Sequence, residues 1–312
     1  MTVPGGDAPT DLLFCYRHPN RPTGVRCTRC ERPICPECMI PASVGFQCPE
    51  CVTQGRRSTR MARTVYGGQI RPGSRVAMVT QVLIALNIAM FVITSVGGGL
   101  SIAGDNQSHV FYRLALVPAA VGHGQWYRLL TAMFMHVNVL HIAFNMYALY
   151  IIGPPLEAAL GRSRFIVLYL LAGLGGSVLS AALGPTLETA AGASGAIFGL
   201  FGAFYLAARH QRLETGGIVA TIVLNLVFTF SFSGVIDWRA HVGGLITGAA
   251  VMAVLAYAPT GPRRATLQVA GVAAVAVIVA AVGYAGARHA DHNCPILQSR
   301  NGVPQACYEI VQ

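Results

Sequence analysis

The sequence predicts an all-α polytopic membrane protein preceded by a small cysteine-rich head, and three observations carry that prediction. Charged side chains make up 11% of the 312 residues, against about 25% in an average soluble domain. Sixteen of them lie in residues 1–75 and eighteen in the remaining 237, so a polar head joins a very apolar body. The body contains repeated apolar runs of about 20 residues, the length of a bilayer-crossing helix, because lipid cannot satisfy stray backbone amides and carbonyls. This composition argues against an ordinary soluble enzyme.

The head, residues 1–53, carries four pairs with the same two-residue gap: Cys15 and His18, Cys27 and Cys30, Cys35 and Cys38, Cys48 and Cys51. Such a gap lets both side chains of a pair turn toward one ion, and eight ligands fill two tetrahedral sites, so two structural zinc ions are expected. So short a segment, with little core of its own, would draw much of its folding free energy from the metal. The short interval between Cys30 and Cys35 favours a cross-brace in which the first and third pairs share one ion and the second and fourth the other. The head resembles B-box-type zinc-binding domains, which implies protein interaction and a cytoplasmic protein partner. Residues 54–75 read as a basic linker able to touch anionic lipid.

Seven segments qualify as spans. Those at 76–97, 165–187, 215–236 and 265–287 contain no charged residue, whereas 138–156, 189–208 and 240–257 carry His, Asn or Ser among glycines. Residues 100–137, broken by Gly, Pro118, Arg113 and Arg128, read as a re-entrant or interfacial loop. All 22 basic residues are Arg and the net charge is +10. They sit between apolar runs without aromatic interleaving, so membrane orientation accounts for them and no nucleic acid is expected. Arginines concentrate before the first span and in alternate loops, which predicts a cytoplasmic N-terminus and, after seven crossings, an extracytoplasmic tail at 289–312. The opening residues have neither the basic start nor the apolar core of a signal peptide, in keeping with an untranslocated head. The cysteines agree: seven cluster in the head, none lies between 52 and 293, and Cys294 and Cys307 can pair in the tail if it reaches an oxidising compartment. A lysine-free chain suggests a GC-rich bacterial genome and hence the cell membrane.

Polar groups inside spans are costly and therefore functional candidates. Ser194, between Gly192 and Gly195, opens the fourth span, where free amides of a first helical turn point toward any oxyanion formed there. His241 opens the sixth span, followed by Gly244 and Gly248, and is placed to act as a base toward Ser194. His141 and Asn145, spaced i, i+4, share one face of the second span and can donate to a carbonyl oxygen that becomes negative.

These sets, with Trp126 and Arg128 in the long loop and Glu157 four residues before Gly161, resemble the rhomboid family of intramembrane serine proteases over residues 76–287. The resemblance implies a six-helix core at 76–262 and an extra seventh transmembrane helix at 263–288. It implies Ser194 as nucleophile, His241 as general base and acid, and His141, Asn145 and the Ser194 amide around the oxyanion, with no cofactor in catalysis. Phe198 matches the aromatic position that packs on the catalytic histidine, Trp126 and Arg128 a scaffold, and Glu157 a partner for loop backbone. Asp237 is expected at a helix start, since the family works with a dyad. The expected reaction is hydrolysis of peptide bonds in or beside transmembrane helices of membrane-protein substrates. The competing expectation is a rhomboid-like pseudoenzyme that binds transmembrane segments and recruits partners through the head. A transporter fits seven spans but lacks a polar path through the midplane.

Overall fold

The computed structural model describes residues 13–58, 63–68, 77–96, 98–103, 108–300 and 303–308. Of the predicted linker, 59–62 and 69–75 lie outside the described residues, as do 76 and 97 at the ends of the first predicted span. The chain forms two compact units, residues 1–62 and 63–312.

In the first unit, β1 (Phe14–Cys15) pairs antiparallel with β2 (His18–Pro22), and β3 (Ile40–Pro41) with β4 (Phe46–Gln47). A 3-10 turn at Pro36–Cys38 and helix α1 (Pro49–Ser58) complete it. Its buried cluster consists of six cysteines and Ile34, with Tyr16, Val25, Cys30 and Met39 packed around them. A core made of thiols has too little hydrocarbon to hold so short a chain unaided.

The second unit is helical. Helices α2 (Met78–Ser95), α6 (Val139–Leu160), α7 (Arg162–Leu183), α10 (Trp238–Tyr257) and α11 (Arg264–Asn293) are long and apolar enough to cross a membrane. They make this an all-α polytopic membrane protein. The two other predicted spans are helices that come out shorter: α8 (Ser194–His210) has 17 residues and α9 (Gly216–Ser231) has 16. At 1.5 Å per residue α8 is about 25 Å long, less than the roughly 30 Å of hydrocarbon. Its shortness is imposed by a partner elsewhere in the chain. Residues 189–192, expected to be helical, are not: the strand-like bridge between Leu116 and Ala190 holds the approach, and Gly192 sits at φ +134°.

Residues 104–107 of the long loop lie outside the described residues, but from 108 on it is more ordered than its sequence suggests. It folds into α3 (His109–Leu114), α4 (Pro118–Gly122) and α5 (Arg128–Thr131), followed by a 3-10 turn at Ala132–Phe134. Arg128 is the reason: it is fully buried and donates from Nη1 to the carbonyls of Tyr112 (2.7 Å) and Ala115 (2.6 Å) and from Nε to Gln125 Oε1 (2.7 Å). It organises the loop from within instead of anchoring it at the interface, whereas Trp126 is exposed.

α10 packs against α7 and α8, α7 also against α11, and α2 against α6. In lipid the hydrophobic effect does not drive helices together, so close backbone contact must supply the attraction. Glycines permit it: a Cβ added at Gly244 would lie 1.9 Å from the Gly195 carbonyl oxygen, and one at Gly248 2.2 Å from that of Gly199. Glu157, near the C-terminal end of α6, accepts from Val79 N (3.0 Å), Thr80 N (2.8 Å) and Thr80 Oγ1 (2.9 Å). It therefore caps the amide end of α2 from another helix, where loop backbone was the expected partner. Beyond α11, β5 (Ile296–Arg300) and β6 (Val303–Tyr308) form a hairpin, and Cys294 and Cys307 are joined by a disulfide with Cα atoms 5.0 Å apart.

Candidate active site

The segment that delivers Ser194 is tied to the loop before it is helical. Leu116 and Ala190 exchange both backbone hydrogen bonds at 2.9 Å, and Gly192 N donates to Ala132 O at 2.9 Å. Helix α8 then starts at Ser194 with no side-chain cap, so the amides of its first turn remain open to an incoming acceptor. Ser194 itself is half-buried.

Facing it is α6, where Asn138 caps the helix by accepting from His141 N and Asn145 Nδ2 donates to His141 O at 2.8 Å. A Cβ added to Gly192 would lie 2.8 Å from His141 Nε2 and 3.6 Å from Ser194 Oγ. The absence of a side chain at Gly192 thus leaves a space bordered by the hydroxyl and by a ring nitrogen, where a third group can enter. From α10, His241 stacks on Phe198, ring centroids 4.1 Å apart and planes at 14°. Phe198 is one turn beyond Ser194 on α8, so the stacked ring ties His241 to the serine helix. His241 Nδ1 lies 2.8 Å from Thr229 Oγ1 on α9.

Ser194, His241, His141, Asn145, Gly192 and Phe198 all line one cavity of about 860 Å³. Asp237 lines it too; the other sequence candidates of the helical unit do not. Gly195 and Gly244 face each other in the α8–α10 contact, Trp126 and Arg128 lie in the loop, and Glu157 caps α2. Asp237 is the N-cap of α10, accepting from Arg239 N at 3.1 Å and from the Ser180 hydroxyl, and forms no hydrogen bond with His241. Thr229, Ser180 and Glu188 also line the cavity, although the sequence did not single them out. For Thr229 a signal existed: with Thr221 and Asn225 it makes a polar row at i, i+4, i+8 along one face of the span.

Residues 123–258 match the family model described as Rhomboid domain. Rhomboid protease GluP of Bacillus subtilis (strain 168) is 39% identical over 174 residues, 54% of this chain and 33% of that protein. Rhomboid protease AarA of Providencia stuartii is 30% identical over 227 residues, 62% of this chain and 78% of that protein. The chain belongs to the rhomboid family. RHOMBOID-like protein 6, mitochondrial, of Arabidopsis thaliana is 36% identical over 137 residues, 41% of this chain and 42% of that protein. This rhomboid therefore spans a third of GluP and about two fifths of the Arabidopsis relative.

The head of this rhomboid gathers its eight predicted ligands into two clusters, each of which could hold a metal ion: Cys15, His18, Cys35 and Cys38, and Cys27, Cys30, Cys48 and Cys51. These are the first-with-third and second-with-fourth pairings. In the first, His18 Nδ1 is 3.8 Å from Cys15 Sγ, 3.3 Å from Cys35 Sγ and 3.5 Å from Cys38 Sγ; in the second, Cys30 and Cys48 sulfurs are 3.7 Å apart. A tetrahedral ion with metal–sulfur bonds of about 2.3 Å has S···S edges of roughly 3.8 Å, so the donors fit. Burial raises the Cys15 and Cys27 thiols, but backbone N–H donors outweigh it and bring both down to about 6. Burial, with neighbouring thiols adding to it, pushes Cys38 up to about 11 and Cys51 to about 12. The thiols of either cluster, three in the first and four in the second, cannot all ionise beside one another without a cation between them.

Proposed function

We propose that this rhomboid is an intramembrane serine endopeptidase that hydrolyses peptide bonds in or next to transmembrane helices of membrane-protein substrates. The observation that carries the reading is the convergence of Ser194, the Phe198-stacked His241 and the His141 ring on one cavity. His241 takes the Ser194 proton as Oγ attacks the carbonyl carbon of the scissile bond. The resulting oxyanion is stabilised by the Ser194 amide, by His141 Nε2–H and by the Asn145 amide group. His241 then gives its proton to the departing amine. Water enters, loses a proton to His241 and attacks the acyl-serine, which releases the acid and restores the serine. A substrate helix must unwind to present its carbonyl, which favours segments weakened by Gly, Ala or Pro.

The reading extends to the rest of the chain. The division is a zinc-binding domain at 1–53, a basic linker at 54–75, a rhomboid core at 76–262, a seventh transmembrane helix at 263–288 and a tail at 289–312. The N-terminus is cytoplasmic and the tail extracytoplasmic, in keeping with arginine placement and with the Cys294–Cys307 disulfide. Two zinc ions would be held by the two clusters, where they neutralise thiolates and hold the head folded. The head would dock a cytoplasmic protein.

The test is labelling of the detergent-purified full chain with a serine-directed fluorophosphonate. Labelling of the wild type that Ser194→Ala and His241→Ala both abolish is expected. A folded wild type that takes no label, or a Ser194→Ala variant that labels equally, overturns the assignment.

A further inference from the structure

We propose that Thr229 is the positioning residue of the base: its hydroxyl oxygen accepts the Nδ1 hydrogen of His241 and holds the ring in the tautomer that leaves Nε2 free to take a proton. The inference rests on the reading of His241 as general base and adds to it a third group.

The direction of the hydrogen bond follows from counting hydrogens. Thr229 Oγ1 lies 2.8 Å from His241 Nδ1 and 2.7 Å from the Asn225 carbonyl oxygen. A carbonyl can only accept, and a hydroxyl has one hydrogen and two lone pairs. The hydroxyl hydrogen therefore goes to Asn225, since the opposite arrangement would leave two oxygens 2.7 Å apart with no hydrogen between them. The hydrogen between Thr229 and His241 must then come from Nδ1. Among the described residues Nδ1 has no other hydrogen-bond partner; the carboxylate of Asp237 accepts from Arg239 N and Ser180 instead. When Nε2 takes the Ser194 proton, the same lone pair on Thr229 still faces Nδ1–H, so the bond serves both protonation states.

A threonine in a helix often bonds back to the fourth preceding carbonyl for its own satisfaction. Burial separates Thr229 from that case. It is 1% exposed and is the one buried residue of α9, whose Leu224, Val227 and Phe228 are all exposed. The most deeply buried side chain of this helix meets the imidazole, so the tautomer of the base depends on α9 being seated against the bundle.

Thr229→Val keeps the shape and removes the lone pairs; Thr229→Ser returns them. In fluorophosphonate inactivation kinetics on the detergent-solubilised full chain, Thr229→Val is expected to lower the maximal rate about 10–100-fold with the probe's half-saturation unchanged, and Thr229→Ser to restore it. Thr229→Val at the wild-type rate, in a preparation where Ser194→Ala is inert, overturns the inference and leaves the dyad standing. A wild type that takes no label fails the dyad instead. The tautomer is then still decided by ¹⁵N-histidine NMR, with His241 assigned from the signal lost in His241→Gln. An Nδ1–H tautomer that becomes mixed in Thr229→Val supports the inference, and an Nε2–H tautomer in the wild type overturns it.

Discussion

Replacing Gly244 by alanine tests whether the spacing between two helices sets the geometry of the proposed dyad. Ser194 starts α8 and His241 lies in the first turn of α10, and the two backbones touch where Gly244 meets the Gly195 carbonyl. The added methyl would stand 1.9 Å from that oxygen. Ordinary contact begins at 3.4 Å, so the helices must part by about 1.5 Å, the difference between the two distances. A displacement of about 1 Å between reacting groups costs on the order of 10²-fold in rate, or about 2.7 kcal/mol of barrier. Overpacking adds about 1–3 kcal/mol of lost stability. Fluorophosphonate inactivation should therefore slow by about 10²-fold or more in Gly244→Ala, with a lowered midpoint of thermal unfolding in the same detergent. Gly217→Ala is the control, since nothing lies within 4 Å of its added methyl; it should label as the wild type does. A folded Gly244→Ala protein that labels at the wild-type rate would refute the claim that glycine contact sets the serine–histidine distance.

Glu157→Gln replaces one acceptor oxygen by a donor facing the amide end of α2 and should cost about 2–4 kcal/mol, read as lowered thermal stability with labelling by surviving folded protein unchanged. Metal analysis of the purified full chain should find two zinc equivalents, both removed by a strong chelator. Cys38→Ser should lose one equivalent and keep the other, because its cluster shares no ligand with the second. Reduction of the Cys294–Cys307 bond, which closes a loop across 13 residues, should remove about 3 kcal/mol of restraint from the hairpin. Limited proteolysis would then cut within 296–308 well before the bundle.

The helices were legible because each span is a predominantly apolar run of membrane-crossing length, and the head was legible because eight ligands at one repeated gap admit few arrangements. Lengths were less so. Nothing local in 189–192 forbids helix, and what does so is the pairing of Ala190 with Leu116, far earlier in the chain. The same limit hid the partner of Glu157, since Thr80 lies 77 residues upstream. Arg128 was recognisable as scaffold, but its burial depends on carbonyls of Tyr112 and Ala115 turning inward, which only the folded loop shows. Thr229 escaped because span 215–236 was weighed by its lack of charge, and a hydroxyl in an apolar helix reads as self-satisfied until a neighbouring imidazole is seen.

One contact on the far side of the bundle bears on the order in which the molecule is made. The buried side-chain amide of Gln268, on α11, donates to the carbonyl oxygens of Tyr66 (3.2 Å) and Leu255 (2.9 Å), while the Tyr66 hydroxyl donates to Ala207 O (3.0 Å). Tyr66 leaves the ribosome 202 residues before Gln268 does. Until then two buried carbonyls stay without this donor, and the Tyr66 backbone lacks this tie to the bundle. Helix α11 thus closes a latch on a segment made long before it, and a nascent chain halted before α11 would hold α2 and α6–α10 in a bundle still open at that end.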